Sequence, residues 1–274
     1  MKLKICGMKY TDNIIEIGAL LPDYMGFIFW KKSPRYFDGT IPELIKTIKK
    51  TGVFVNETVE NIFAKINKYD LQAVQLHGKE SVEFCLELKN KIELKIDHKI
   101  EIIKVFSVGE NFDFEILKPF ENVCDYFLFD TEGKLPGGNG TAFNWNILEN
   151  YKSEKPFFLS GGIGIEDIPI IKKLKLPIYG IDINSKFEIE PGLKNVELCR
   201  EAYIQTHKSA YVNARLDEIK NKYEKQTSPY YAAARLWVDD IIDPADTRKV
   251  ISEGIQAADH NPFIAPFRTG VLQV

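Results

Sequence analysis

Eight short apolar runs, separated by segments of helical period, limit what this chain can fold into before any single residue does. The runs are Leu3–Cys6, Tyr24–Phe29, Val53–Val55, Ala73–Leu76, Ile102–Phe106, Tyr126–Phe129, Phe157–Leu159 and Ile178–Ile181. Between them, IPELIKTIKK, TVENIFAKINKY, SVEFCLELKN and IEDIPIIKKL are apolar at every third or fourth residue, the period of an amphipathic helix. Thr40 with Glu43 predicts a capping box at the start of the IPELIKTIKK helix. Continuous rather than alternating apolar runs predict parallel strands covered on both faces. The alternation is complete by about Thr206 and predicts an α/β fold, a (β/α)8 TIM barrel on the small side of its size range. A doubly wound open sheet is the alternative, because periodicity alone does not show closure.

After Thr206 the character changes, giving two expected domains, 1–206 and 207–274, the second a short, mainly helical C-terminal appendage. HKSAYVNARLDEIKNKYEKQ reads as a charged, exposed helix. Ser228 and Pro229 have the form of an N-cap and first helical residue, and Asp243 and Pro244 repeat it. Burying the apolar face formed by Tyr230, Tyr231, Leu236 and Trp237 requires a partner, so self-association or docking through this extension is expected.

Composition excludes several function classes. A net charge of −3 over 274 residues gives no electrostatic reason to expect nucleic acid or an anionic membrane surface. No apolar run approaches the ~18 residues of a membrane span, and the N-terminus becomes strand-like at once. Cys6, Cys85, Cys124 and Cys199 are scattered, without a C-x-x-C or a close His partner. That pattern predicts neither a zinc site nor a disulfide framework, and fits a cytoplasmic protein.

In such a barrel, chemistry sits at the C-terminal ends of the strands. Those ends read Cys6–Gly7, WKKSPRYF with Arg35, QLHG with His77, FLFDT with Asp130, LSGGIG with Gly161 and Gly162, and IDINS with Asp182 and Ser185. Cys6 alone is ambiguous, a small apolar group closing a strand or a thiol facing a substrate. LSGGIG before IEDIPIIKKL is more specific. Strand, glycine pair and helix is how the last loops of many barrels hold a phosphate on backbone N–H groups, and Ser185 adds a hydroxyl. Asp130 follows YFLF, so poorly solvating neighbours are expected to favour its neutral form, as a general acid needs. The glycine-rich EGKLPGGNG after it is suited to closing over a ligand.

KICGM, GFIFWKKSPRYF, GVFVNE, QLHG, FLFDT, GGNGTAFNW, FLSGGIG and DINSKFEIEPGLKN occur in this order, one at nearly every strand end. Together they resemble phosphoribosylanthranilate isomerase, over about Met1 to Thr206. The resemblance implies an Amadori rearrangement in tryptophan biosynthesis, without metal or organic cofactor, on a phosphosugar–anthranilate substrate. It implies that Cys6 is the general base, Asp130 the general acid and Arg35 the group holding the anthranilate carboxylate. Gly161, Gly162 and Ser185 are expected at the phosphate, with Gly138 from the glycine-rich loop, His77 and Asp182 also against substrate. A positive environment around Cys6 is expected to help it ionise. Asn139 and Asn195 depart from the family pattern, at positions outside the proposed acid and base. The alternatives are another phosphosugar barrel isomerase or epimerase, or a non-catalytic scaffold that assembles through its tail.

From about Ala210 onward, EKQTSPYYAAARLWVDDIIDPADTRKVISEGIQAA and GVLQV resemble the C-terminus of the carboxyltransferase subunit of acyl-CoA carboxylases, the methylcrotonoyl-CoA type in particular. Only the last small part of that subunit is present, so no carboxylase chemistry is expected from it.

Overall fold

The computed structural model describes residues 1–131, 145–207 and 243–260. Eight parallel strands close into a barrel in chain order: β1 (Lys2–Ile5), β2 (Tyr24–Ile28), β3 (Lys49–Phe54), β4 (Ala73–Leu76), β5 (Glu101–Val108), β6 (Tyr126–Thr131), β7 (Phe157–Leu159) and β8 (Ile178–Ile183). The seam is β1 against β8, with Lys4 opposite Asp182 and Ile5 opposite Ile183, which excludes the open sheet. A small hairpin, β9 (Glu188–Glu190) and β10 (Leu193–Lys194), follows β8.

The strands bury both faces, for the reason their continuous apolar runs implied. On β6, Phe127 and Phe129 point outward into the layer shared with the helices, while Leu128 points inward beside Ile103, Val105 and Phe158. Period two carries the same alternation along each strand. The outer layer is covered by α1 (Thr11–Gly18), α2 (Val59–Tyr69) and α3 (Val82–Lys95). Thr58 caps α2 by accepting from the Asn61 N–H, and Ser81 caps α3 by accepting from the Phe84 N–H. After β7 the helical segment is short, a 3-10 turn at Ile165–Asp167 and α4 (Ile168–Ile171). Residues 196–207 form α5.

The helix expected in IPELIKTIKK does not form. Residues 40–48 are irregular apart from a turn at 46–47, and β3 begins at Lys49, inside the segment of helical period. Pairing of Lys49 and Lys50 with Tyr24 and Met25 takes the end of that segment into the sheet. Leu44 still packs inward, near Gly18, so the apolar spacing served burial rather than a helix.

The chain divides into two compact units, Met1–Tyr211 and Val212–Val274. In the second, Asp243 caps a 3-10 turn (Pro244–Asp246) by accepting from the Ala245 N–H, as its sequence predicted, and α6 (Thr247–Asp259) follows. Gly138 with its glycine-rich loop, the Ser228–Pro229 pair, and Tyr230, Tyr231, Leu236 and Trp237 lie outside the described residues. Among the described residues, no helix is long and apolar enough to cross a membrane.

Candidate active site

Eight of the residues singled out in the sequence line one pocket at the C-terminal end of the barrel: Cys6, Arg35, His77, Asp130, Gly161, Gly162, Asp182 and Ser185. Its volume is about 690 Å³ with the open mouth included, and Ile28, Trp30, Val53 and Val55 supply an apolar side.

Cys6 stands just past β1, 4% exposed, its N–H bonded to the Ile183 carbonyl at 3.0 Å. Gly7 turns the chain away with φ +78°, and a Cβ there would lie 2.7 Å from Arg35 Cδ and 2.8 Å from Asn184 Oδ1. Only glycine meets both demands. Behind the thiol, Lys4 Nζ donates to Asp182 Oδ1 at 2.9 Å, and both groups are buried. Burial pushes the Cys6 thiol up, with Lys4 and Lys194 opposing and Asp182 reinforcing the rise. The positive environment is therefore present, but desolvation outweighs it.

Asp130, at the end of β6, is 3% exposed, with Oδ2 3.3 Å from His77 Nε2. Gln75 Nε2 contacts His77 Nδ1 at 3.1 Å. An amide nitrogen only donates, so Nδ1 accepts and the ring proton belongs on Nε2, toward Asp130. Burial likewise pushes the Asp182 carboxyl up, with the Lys4 ammonium opposing.

Arg35 is tethered by Glu188. Its Nε donates to Oε1 at 2.9 Å and Oε2 at 3.0 Å, and Nη2 donates to Oε2 at 2.6 Å. Nη1 makes no hydrogen bond among the described residues, and the guanidinium is held at a fixed angle. Glu188 also accepts from Lys194 Nζ at 2.7 Å, which burial pushes down while Glu188 opposes. Gly161 and Gly162 carry φ +89° and +66°, a pair of left-handed residues directly after β7. Both glycines line the pocket together with Ser185 and Lys186. Among the described residues, no three His, Cys, Asp or Glu side chains converge as a metal site.

Sequence reasoning missed Lys4, Gln75, Glu188 and Lys194. Lys4 and Gln75 had a visible trace, since each precedes a singled-out residue by two and so shares its face of the strand. Glu188 and Lys194 had none, because only the hairpin brings them under Arg35.

The family described as N-(5'phosphoribosyl)anthranilate isomerase matches residues 3–206, and the carboxyl transferase domain family matches residues 192–270, at the C-terminal resemblance. The N-(5'-phosphoribosyl)anthranilate isomerase of Parabacteroides distasonis is 42% identical over 204 residues, which are 72% of this chain and 89% of that protein. The structure of phosphoribosyl anthranilate isomerase from Thermotoga maritima superposes with a TM-score of 0.62 at 28% identity, covering 76% of this chain and 99% of that one. A phosphoribosyl anthranilate isomerase in complex with reduced 1-(o-carboxyphenylamino)-1-deoxyribulose 5-phosphate gives a TM-score of 0.60 at 25% identity, covering 75% and 97%. With its closed barrel and pocket, the chain belongs to the N-(5'-phosphoribosyl)anthranilate isomerase family.

Proposed function

We propose that the protein converts N-(5-phosphoribosyl)anthranilate to 1-(2-carboxyphenylamino)-1-deoxyribulose 5-phosphate in tryptophan biosynthesis. The observation that carries this reading is a thiol and a carboxyl, Cys6 and Asp130, lining one pocket from β1 and β6, beside a pair of left-handed glycines after β7. Asp130 gives a proton to the furanose ring oxygen, and the ring opens to an iminium. The positive nitrogen acidifies the proton on the adjacent ribose carbon, and Cys6 as thiolate removes it. The resulting enolamine tautomerises to the ketone, returning a proton to the carbon that bears nitrogen. The electron sink is the substrate's own nitrogen, so the chain's residues need only move protons and hold the ends.

The same reading gives the remaining residues their parts. Gly161, Gly162 and Ser185 hold the phosphate. Arg35, angled by Glu188, pairs with the anthranilate carboxylate through its remaining N–H groups. Gly138, from the glycine-rich loop, and His77 are substrate-binding residues, and Asp182 orients groups near the phosphate loop. The iminium charge adds to Lys4 and Lys194 in favouring the thiolate, so the base is expected to form in the loaded site.

Residues 1–206 are the catalytic domain in this reading, and 207–274 form an extension passive in the chemistry. Val250, Ile251 and Ile255 on α6 are exposed, which supports self-association through that extension. The proposed location is the cytoplasm. Loss of phosphoribosylanthranilate fluorescence on adding the purified protein tests the activity. A folded protein that leaves the signal unchanged is not this enzyme.

A further inference from the structure

Lys4 is the feature of the barrel interior that the proposed chemistry leaves unused. It is 0% exposed and does not line the pocket, so it touches no substrate. A buried ammonium is costly unless something requires its charge there, and an apolar residue would fill β1 at no such cost. Its Nζ is fixed at 2.9 Å from Asp182 Oδ1. It also stands against the Cys6 sulfur. A Cβ at Gly26 on β2 would lie 2.7 Å from Cys6 Sγ and 3.2 Å from Lys4 Nζ, so both groups share the space that this glycine leaves.

We infer that Lys4 is a positioning residue for Cys6. Its ammonium, aimed by Asp182, is the fixed charge that makes the thiolate accessible behind the pocket. The inference rests on the reading of Cys6 as base.

The charged and titratable groups around the sulfur are few. Lys4 comes from β1 itself, Asp182 from β8 and Lys194 from β10. Asp130 and His77 act on Asp182 from the far side of the pocket, and Arg35 lies beyond Gly7. Lys194 is already engaged by Glu188 at 2.7 Å and Asn184 Oδ1 at 2.7 Å. Lys4 has one carboxylate oxygen as its side-chain acceptor, and Cys6 is the other group that acts on its charge. Among the cations, Lys4 also has the larger effect on the thiol, ahead of Lys194.

The test is the pH profile of Cys6 alkylation by iodoacetamide, read at that residue by peptide mass spectrometry, with kcat and KM measured alongside. Lys4→Met removes the charge and keeps the bulk. Lys4→Gln removes the charge and keeps a donor for Asp182. In either variant, the alkylation midpoint should rise by about one pH unit or more, leaving about a tenth of the thiolate at neutral pH. The catalytic constant should fall by about tenfold or more, with KM within about threefold. A merely structural lysine would not move the alkylation midpoint. An unchanged profile in a folded variant overturns the inference, as does a shifted profile with unchanged kcat. Failure of both variants to fold overturns it too, by assigning Lys4 to the core. Alkylation does not depend on isomerase turnover, so an inactive wild type would sink the proposed function while leaving this result readable.

Discussion

At the N-terminal end of the barrel interior, Tyr24, Lys49, Glu101 and Tyr179 close on one another, while at the C-terminal end Cys6, His77, Asp130 and Asp182 face a pocket. The two ends use similar chemistry to opposite purposes. Both Glu101 oxygens are taken, Oε2 by the Tyr24 hydroxyl at 2.8 Å and Oε1 by Lys49 Nζ at 2.6 Å. Tyr179 stacks on Tyr126 at 4.3 Å and meets the edge of Phe158 at 5.3 Å. Burial pushes the Tyr24 phenol up, with Tyr179 and Glu101 adding to the rise. At the other end, Gln75 Oε1 is buried without a hydrogen bond among the described residues, and His77 Nε2 has only a long 3.3 Å approach to Asp130. Satisfied polar groups hold the barrel shut, and unsatisfied ones are where a ligand has something to gain.

The comparison breaks most visibly at the pocket. Cys6→Ser and Asp130→Asn should each lower kcat by about 10² to 10⁴ with little change in thermal midpoint. Near-wild-type turnover in either removes that residue from the chemistry. At the closed end the effect should be on stability alone. Glu101→Ala removes the carboxylate shared by Lys49 and Tyr24, leaving them only each other and Tyr179, and should cost about 1 to 2 kcal/mol in urea unfolding. Its kcat should stay within about twofold of wild type, and a larger fall would mean that the two ends are coupled.

A smaller effect is expected on the rim of the closed end. Asp23 accepts from the Leu3 N–H at 2.8 Å, Lys2 Nζ at 2.6 Å and His207 Nε2 at 3.0 Å. Burial pushes its carboxyl up, but these bonds prevail and hold it at about 2. A depressed carboxylate contributes stability above its unfolded value of about 3.9, lost as pH falls through about 2. Asp23→Asn should therefore cost roughly 1 kcal/mol near neutrality, discounted for partial exposure, with the difference shrinking below pH 4. A constant difference from pH 7 to pH 2 would refute the assignment. The smallest effect should come from cutting after Tyr211, which keeps His207 on Asp23. It should leave kcat within about threefold, and light scattering should report a lower mass if the extension associates.

Most of the barrel was legible because burial on both faces leaves a continuous apolar run at every strand. The missing helix between β2 and β3 was not, since Ile41 and Leu44 have the same spacing whether a helix or a turn carries them inward. Cys6, Asp130 and Gly161–Gly162 could be singled out because strand ends are readable positions. The tethering of Arg35 could not, because Glu188 lies 153 residues away and meets it only through the hairpin. Lys4 was hidden in plain view, read as part of an apolar run although the charge faces inward.

The seam between β1 and β8 also sets a timetable. Lys4 finds its carboxylate 178 residues later, Asn13 its Lys194 partner 181 later and Asp23 its histidine 184 later. During synthesis the first strand is made with a charge it cannot desolvate until the eighth arrives. Closing β1 on β8 therefore depends on contacts about 180 residues apart in the chain, the long sequence separation that slows folding.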